Sequence, residues 1–411
     1  MMNQETSYLK SFSFEEYELH LGKLRQQMVK HGIDMLLLSS PENIYYATGY
    51  RSWYLSSLFR PVFVALPREG EPAIFLRYLE KTTVQNTSWI ERIYYSGSTS
   101  RNYGVMNCTN YIDGIMKYLA SLNAEVKRVG IEANAGQHFQ WSLSLLKEII
   151  DEFSQIDFVD GSSAIEGARM IKTDWEIRNI ESAGYITERS IVDTFREILP
   201  GRTTEKEIAS GIASRMCAGG IDKISYLTVN SGADKYSTFN SYATSRVVQP
   251  GEIVLVDISG HYEGYASDLT RTMFLGKNLP DDYEDMARIA MESVHAGFAA
   301  MENGNTIGDV SQAIENFILN SKYGDYLVHS SGHSIGLSVV EFPSIENNSV
   351  VQLDTGMVLA LENGVYPYDK KQGAESIYLS FRMEDEALMG INGPRWLSGP
   401  GKMIYTLSDF V

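Results

Sequence analysis

The chain has 411 residues, of which 44% are hydrophobic, and a formal net charge of −17. This length exceeds what one hydrophobic core usually supports, so two domains are expected. The negative charge argues against nucleic acid and anionic membranes as partners, because both are bound through clustered Lys and Arg.

The start of the chain and its cysteines bear on where the protein works. The first twenty residues are polar and acidic, without the apolar stretch of a secretory signal. The sequence has no uncharged apolar run long enough for a membrane helix. Cys108 and Cys217 lie far apart and have no disulfide-framework or zinc-binding spacing. A cytoplasmic protein in a reducing compartment is therefore predicted.

The first 160 or so residues alternate between helix-like and strand-like patterns. Apolar residues at helical spacing predict a helix over residues 14–31, ended by Gly32. Strands are predicted at IDMLLLS, PVFVALP, EPAIFL and RVGIEAN, with a helix in MNCTNYIDGIMKYLASL. This order predicts an α/β domain over residues 1–163, joined through VDGSSAIEG to a second domain over residues 164–411.

Helix signals recur in the second domain. One or two helices are predicted from Asp174 to Leu199, stopped by a Pro-Gly pair. Thr204 with Glu207 has capping-box spacing, and Thr306 with Asp309 has a similar spacing. Strand-like segments follow each start, which suggests an internal repeat.

Five potential metal ligands follow in the same domain: Asp257, Asp268, His333, Glu362 and Glu384, each expected at the edge of a strand-like run. Apolar neighbours indicate that the carboxylates are buried, which is costly unless a cation accompanies them. Oxygen donors with one imidazole suit Mn, Fe, Co or Zn, and two ions could share bridging carboxylates. The expected chemistry is metal-activated water.

Glycines flank the only histidine of this set. Gly332 and Gly336 lie on either side of His333 and are expected to permit close approach of the backbone to a metal cluster or a ligand.

These residues, together with the segment VDGSSAIEGARMIKTDWEIRNIESA, resemble the pita-bread metallohydrolases, which include aminopeptidase P, prolidase, methionine aminopeptidase and creatinase. The resemblance implies a creatinase-like α/β amino-terminal domain and an α+β pita-bread domain with a curved antiparallel sheet. It also implies two divalent metal ions, with Asp257 chelating one and Asp268 and Glu384 bridging both. His333 and Glu362 would complete the second site. A homodimer is implied as well.

The resemblance extends to residues near these ligands. Glu362 would also carry a proton between metal-activated water and the leaving group. His329 matches a histidine that often supports the metal ligands in the family's peptidases. Tyr366 and Arg382 match positions near the site and are candidate oxyanion-binding or orienting groups. Their alternative interpretations are a tyrosine on a strand face and a structural arginine.

Two positions depart from the peptidase pattern. Asn240 and Val340 stand where peptidases of this family usually have histidines that bind the scissile carbonyl and move protons. Asn can do part of that work and Val none of it. Peptide-bond cleavage is therefore less firmly predicted than metal binding.

An aromatic segment in the first domain, NIYYATGYRSWYLSSLFRPVFVAL, contains Arg60. It resembles the creatinase segment that reaches the neighbouring subunit's active site, where an Arg holds a substrate carboxylate. The alternative is a cation stacked on Trp53 or Tyr54.

Three functions follow from these patterns. The first is a dinuclear metal hydrolase that cleaves a C–N bond in a small carboxylate-bearing substrate, nominally an Xaa-Pro dipeptide. The second is a non-peptidase relative, such as an amidine or osmolyte hydrolase or an enzyme similar to dimethylsulfoniopropionate lyase. The third is a non-catalytic binding protein, which retention of all five ligands argues against.

Overall fold

A computed structural model describes residues 8–57, 60–97, 107–122, 125–134, 140–233, 235–398, 402 and 404–410. The chain divides into two compact units, Met1–Arg169 and Met170–Val411. The boundary expected between residues 163 and 164 falls inside a helix, Ser162–Met170, and the division lies at the end of that helix.

The amino-terminal unit is an α/β domain, as predicted. Its helices are α1 (Phe14–His31), α2 (Pro41–Thr48), α3 (Lys81–Thr87), α4 (Tyr111–Ser121), α5 (Leu143–Glu152) and α6 (Ser162–Met170). Its strands are β1 (Met35–Leu38), β2 (Phe63–Pro67), β3 (Ala73–Arg77), β4 (Arg92–Ser96), β5 (Arg128–Ile131) and β6 (Asp157–Asp160).

These strands form a six-stranded mixed sheet in the order β4-β3-β2-β1-β5-β6. The pairs β1–β2 and β2–β3 are antiparallel, whereas the others are parallel. Helix α1 has the predicted bounds: the Ser13 side chain accepts the Glu16 N–H at its start, and Gly32 ends it with a left-handed φ of 63°. Strands β4 and β6 were not predicted.

The carboxy-terminal unit contains two pairs of helices and a larger sheet. The helices are α7 (Asp174–Phe195), α8 (Glu205–Ala218), α9 (Asp281–Ala299) and α10 (Ile307–Leu319). The strands are β7 (Lys223–Ser231), β8 (Ile253–Tyr262), β9 (Tyr265–Ala266), β10 (Leu269–Phe274), β11 (Gly332–Ser334), β12 (Glu341–Ser344), β13 (Val358–Val365), β14 (Phe381–Gly390), β15 (Gly393–Trp396) and β16 (Ile404–Thr406).

The main path of this curved sheet is antiparallel and runs β12-β11-β13-β14-β10-β8-β7. Helices α7 and α8 share one apolar cluster with β7, β8 and β10, and α9 and α10 share another with β13 and β14. Thr204 and Thr306 form the predicted capping boxes at the starts of α8 and α10. Each half therefore has two helices followed by strands, the order on which the suggested repeat rests.

Short 3-10 turns complete the described structure, at Trp53–Ser56, Tyr78–Glu80, Gly324–Tyr326, Gly373–Ser376 and Leu407–Phe410. Among the described residues, no helix is long and apolar enough to span a bilayer.

Candidate metal centre

A row of side chains crosses four neighbouring strands of the carboxy-terminal sheet. Asp257 of β8 lies opposite Thr270 of β10, which lies opposite Glu384 of β14. Glu384 in turn lies opposite Glu362 of β13. Residues that face each other in an antiparallel pair project to the same side of the sheet. The register therefore brings these three carboxylates together.

The other two predicted ligands join this face through the two-residue period of a strand. Asp268 precedes Thr270 by two residues, and His333 of β11 lies opposite Ala360, two residues before Glu362. Successive side chains alternate between faces, so residues two apart share one. All five predicted ligands thus project to one side of the sheet.

Two expectations about the surroundings of these ligands are wrong. Asp257, Glu362 and Glu384 lie inside their strands rather than at strand edges. The polar residues that follow Asp257 continue β8, because β7 and β9 pair with them. Gly332 has a φ of 121°, and a Cβ there would lie 2.0 Å from the Ala360 carbonyl oxygen. Its close approach is therefore to strand β13.

Asp268, His333 and Glu384 form a compact group, in which one potential ligand atom from each lies within 4.8 Å of the others. His333 Nε2 is 3.6 Å from Asp268 Oδ2, and its Nδ1 is 3.1 Å from the Ser334 carbonyl oxygen. An imidazole that donates Nδ1–H to a carbonyl presents Nε2 as a ligand. Two carboxylates and this nitrogen suit a divalent first-row metal.

Two further side chains contact the aspartates. Arg382 Nη2 donates to Asp257 Oδ2, and the Tyr226 hydroxyl lies 3.1 Å from Asp257 Oδ1. The same hydroxyl donates to Asp268 Oδ1. A phenol has a single proton, so it serves only one of the two carboxylates at a time. The pair of aspartates therefore has acceptor capacity that a cation could use.

The electrostatics of the group also favour a cation. Burial is the largest cause that raises the pKa of Asp257, Asp268 and Glu384. Neighbouring carboxylates raise the pKa values of all three further, although Arg382 opposes this for Asp257 and Glu384. When these three carboxylates and that of Glu362 are ionised, they carry four negative charges around the cavity. Arg382 offsets one of them, which leaves an excess of three negative charges. The donor set therefore fits divalent ions, and two of them would reverse the excess to one positive charge.

A cavity of about 580 Å³ lies over the row of carboxylates. This volume is in the usual range for a small-molecule site. All five predicted ligands line it, as do His329, Arg382, Asn240 and Val340 from the other predicted site residues. The rest of the lining consists of Tyr226, Thr228, Phe239, Val328, Ser330 and Val339.

His329 links the cavity to the buried Tyr366. Its Nε2 lies 2.6 Å from the Tyr366 hydroxyl, its Nδ1 lies 2.7 Å from the Ser330 carbonyl oxygen, and Glu362 Oε2 is 4.0 Å from Nδ1. Burial lowers the pKa of His329, so the ring is expected to be neutral. In that state Nδ1–H donates to Ser330 and Nε2 accepts from Tyr366. Tyr366 does not line the cavity itself and is fully buried.

Arg60 belongs to the amino-terminal unit and is exposed. Its guanidinium lies 5.7 Å from the centre of the Tyr54 ring, the stacked arrangement expected under the alternative interpretation. Leu58 and Phe59 of the predicted aromatic segment lie outside the described residues. A substrate-binding role for Arg60 stays a prediction.

The sequence analysis missed some residues that shape the site. Tyr226 is one. It precedes Thr228 by two residues, and Thr228 lies opposite Asp257, so the position of Tyr226 beside the aspartates cannot be inferred until this strand register is known. Glu386 is another: it is buried, and its Oε1 accepts the Asp268 N–H at 2.8 Å. The signal for Glu386 was its two-residue spacing from Glu384.

Comparisons with known proteins agree with this geometry. The model for metallopeptidase family M24 matches residues 178–390, and the model for the creatinase/prolidase N-terminal domain matches residues 20–171. A Xaa-Pro dipeptidase from Pyrococcus horikoshii is 26% identical over 92% of this chain and 95% of its own length. An uncharacterized peptidase from Bacillus subtilis is 26% identical over 95% of this chain and all of its own.

Solved structures show the same fold. The prolidase from Pyrococcus horikoshii superposes with a TM-score of 0.75 at 24% identity, covering 92% of this chain and 97% of its own. The dipeptidase PepE from Mycobacterium ulcerans gives a TM-score of 0.80 at 23% identity, covering 96% of this chain and 99% of its own.

Proposed function

The chain belongs to metallopeptidase family M24, and on that basis we propose that it uses two divalent metal ions to cleave a C–N bond in a small, carboxylate-bearing substrate, nominally an Xaa-Pro dipeptide. The observation that carries this proposal is the projection of five potential ligands from separate strand segments into one cavity. The named Xaa-Pro dipeptidases among its relatives support the nominal substrate.

The roles proposed for the five ligands are those that the resemblance to the pita-bread metallohydrolases implies. Asp268 and Glu384 are the proposed bridging carboxylates, Asp257 the chelating one, and His333 and Glu362 the remaining ligands. When bound, the divalent ions supply Lewis acidity and lower the pKa of water at the site. Manganese is the proposed ion, although the same donors accept Fe, Co or Zn.

One side chain is proposed to move protons, and two others are proposed to hold the surroundings of the metal ligands in place. Glu362 is the least buried of the four carboxylates, which supports a role for it in accepting a proton from water and delivering it to the leaving nitrogen. The neutral ring of His329 is fixed by its hydrogen bond with Tyr366. It is proposed to hold the cavity lining beside Glu362 in place without adding a charge there. Arg382 holds the Asp257 carboxylate in place and favours its ionised form, against the larger effect of burial, which raises the pKa of Asp257.

A specific observation favours the second candidate, a non-peptidase relative. Asn240 and Val340 line the cavity at the positions where the peptidases usually have histidines. An amide can hydrogen-bond a carbonyl oxygen but cannot exchange a proton near neutral pH, and an isopropyl group can do neither. The chemistry proposed for this alternative is hydrolysis of an amidine or osmolyte, or elimination.

Assays of the purified, manganese-loaded protein on Ala-Pro and Gly-Pro separate the two candidates. Turnover that disappears in the Glu384→Gln variant would support the peptidase. No turnover on any proline dipeptide, with metal still bound, would exclude the peptidase and favour the relative. In that case the double variant Asn240→His, Val340→His restores both imidazoles and is expected to gain dipeptide hydrolysis.

We also propose a cytoplasmic homodimer in which Arg60 binds the substrate carboxylate of the neighbouring subunit. Exposure of Arg60 and of Trp53, which belongs to the same aromatic segment, supports an interface role. Light scattering would give the mass in solution. If the protein is dimeric, Arg60→Met should raise the KM for a carboxylate-bearing substrate far more than it lowers kcat.

A further inference from the structure

Part of the cavity lining comes from the connection between β7 and β8. Phe239 and Asn240 belong to this connection, and both line the cavity. Asn240 is exposed, and its side chain forms no hydrogen bond with another described residue. The position of this amide is therefore set by the contacts of the residues around it.

Asn230 holds the turn that carries Asn240. It is buried in β7, where its Nδ2 donates to the Thr238 carbonyl oxygen at 3.0 Å and its Oδ1 accepts from the Ser241 hydroxyl at 2.9 Å. Only the amide nitrogen can donate to a carbonyl, so the orientation of the Asn230 side chain is determined. The Ser241 N–H also donates to the Thr238 carbonyl oxygen, at 3.2 Å. Because these two partners directly flank the lining pair in the sequence, one side chain fixes both ends of the turn over residues 238–241.

Glu205 holds the base of the longer connection. It is fully buried at the start of α8, where its Oε1 accepts from the N–H of Ser231 at 3.1 Å and from the hydroxyl of the same residue at 2.8 Å. Its Oε2 accepts from the N–H and the hydroxyl of Thr244 at 2.9 and 2.7 Å, and Lys235 Nζ lies 2.7 Å from the same oxygen. All of these partners are donors, which an ionised carboxylate satisfies without offering a proton of its own. Ser231 ends β7 and Thr244 follows the turn, so Glu205 draws together the two ends of the segment that carries Asn240.

We propose that Asn230 and Glu205 are positioning residues that hold the Asn240 amide ready to hydrogen-bond the substrate, although neither of them lines the cavity. This inference rests on the proposed function, in which the cavity binds the substrate. A side chain that is fixed before binding loses less conformational freedom when the ligand arrives, so it contributes more to affinity. Neither residue forms a hydrogen bond with the five proposed metal ligands, all of which are described, so both act on ligand affinity and leave metal binding unchanged.

Calorimetric binding of alanine hydroxamate, a small chelating probe with an amine and a carbonyl oxygen, to the manganese-loaded protein tests the proposal. We expect Asn240→Ala and Asn230→Ala each to weaken binding roughly tenfold, which corresponds to the loss of about one hydrogen bond. The double variant should bind no more weakly than either single variant, because Asn230 acts only through Asn240. Manganese content should match that of the parent in all three variants.

Two further variants separate positioning from a purely structural effect. Asn305→Ala is the matched control, because its Nδ2 also donates to a backbone carbonyl oxygen at 3.0 Å, that of Ala300, but it lies outside the cavity lining. This control should lower thermal stability without changing the affinity for the probe. Glu205→Gln places an amide NH₂ among the donors that now bind the carboxylate, and should weaken probe binding several-fold and raise hydrogen exchange over residues 235–243.

The outcomes distinguish this inference from the proposed function. Unchanged probe affinity in Asn230→Ala, Asn240→Ala or Glu205→Gln, or additive losses in the double variant, would overturn the inference and leave the proposed metal site intact. Loss of manganese from Asn230→Ala would also overturn it, because the residue would then support the metal ligands. No binding of the probe by the manganese-loaded parent would overturn both the inference and the proposed substrate cavity.

Discussion

Replacing Lys172 tests whether the segment that carries His333 depends on a buried ion pair. The lysine and Glu341 side chains are 0% and 6% exposed, with Nζ 3.4 Å from Oε2. The same Nζ lies 3.1 Å from the hydroxyl of Ser334, the residue after His333. Lys172→Met therefore removes the cation from a buried carboxylate and a hydrogen bond next to a proposed metal ligand.

The size of the effect follows from the burial of the pair. Breaking a buried ion pair on one side costs about 3–5 kcal/mol. The Ser338 N–H still donates to Glu341, so we expect the free energy of unfolding to fall by about 3 kcal/mol, the lower end of this range. For a unit of 150–250 residues this lowers Tm by roughly 6–12 °C. Metal affinity should also fall by about tenfold, the lower end for loss of a residue that supports a ligand.

Differential scanning calorimetry and metal titration measure both effects. Lys206→Met, at an exposed lysine of α8, is the matched control and should stay within about 0.5 kcal/mol of the parent. The double variant Lys172→Met, Glu341→Gln removes both charges and should recover part of the lost stability. If the double variant is as unstable as the two single changes added together, the ion-pair reasoning is refuted.

Other predictions concern the ligands directly. Tyr226→Phe removes the hydroxyl shared by Asp257 and Asp268, and should weaken manganese binding about tenfold by calorimetry; unchanged affinity would show that the hydroxyl does not support the ligands. Glu386→Gln keeps an acceptor for the Asp268 N–H and should retain more metal affinity than Glu386→Leu, and equal losses would refute this positioning role. Protein stripped of metal with a chelator should lose thermal stability as the pH rises above about 4. The reason is that burial raises the pKa of Asp257, Asp268 and Glu384 above their ordinary values, which are 3.8 for Asp and 4.5 for Glu. Below those values both folded and unfolded states are protonated, and above them only the unfolded state ionises freely, so the stabilising effect of metal should grow with pH; a pH-independent effect would contradict this.

Local signals in the sequence were sufficient for many elements. Helix α1 begins after Ser13 and ends before Gly32, and α8 and α10 begin at the capping boxes of Thr204 and Thr306. Each of these caps forms hydrogen bonds with free backbone groups at the helix end, only a few residues away. Apolar runs located β1, β2, β3 and β5. Such features depend on neighbouring residues alone, so they can be predicted without the fold.

The arrangement of the site depends on pairing between distant strands. The row from Asp257 to Glu362 exists because β8, β10, β14 and β13 are neighbours in one register, although the two residues are far apart in sequence. Tyr226 and Glu386 acquire their contacts from that register as well. The ligand residue types were recognisable from motifs, whereas their supporting contacts were not.

The central claim is that the five side chains hold divalent metal ions. Mass spectrometry of metal content is its most direct test, on protein purified without chelators and reconstituted with manganese. We predict two equivalents per chain, and a large loss in the Asp268→Asn variant, which removes a proposed bridging carboxylate while keeping the side-chain shape. A parent protein with far below one equivalent per chain, or an unchanged content in the variant, would contradict the account.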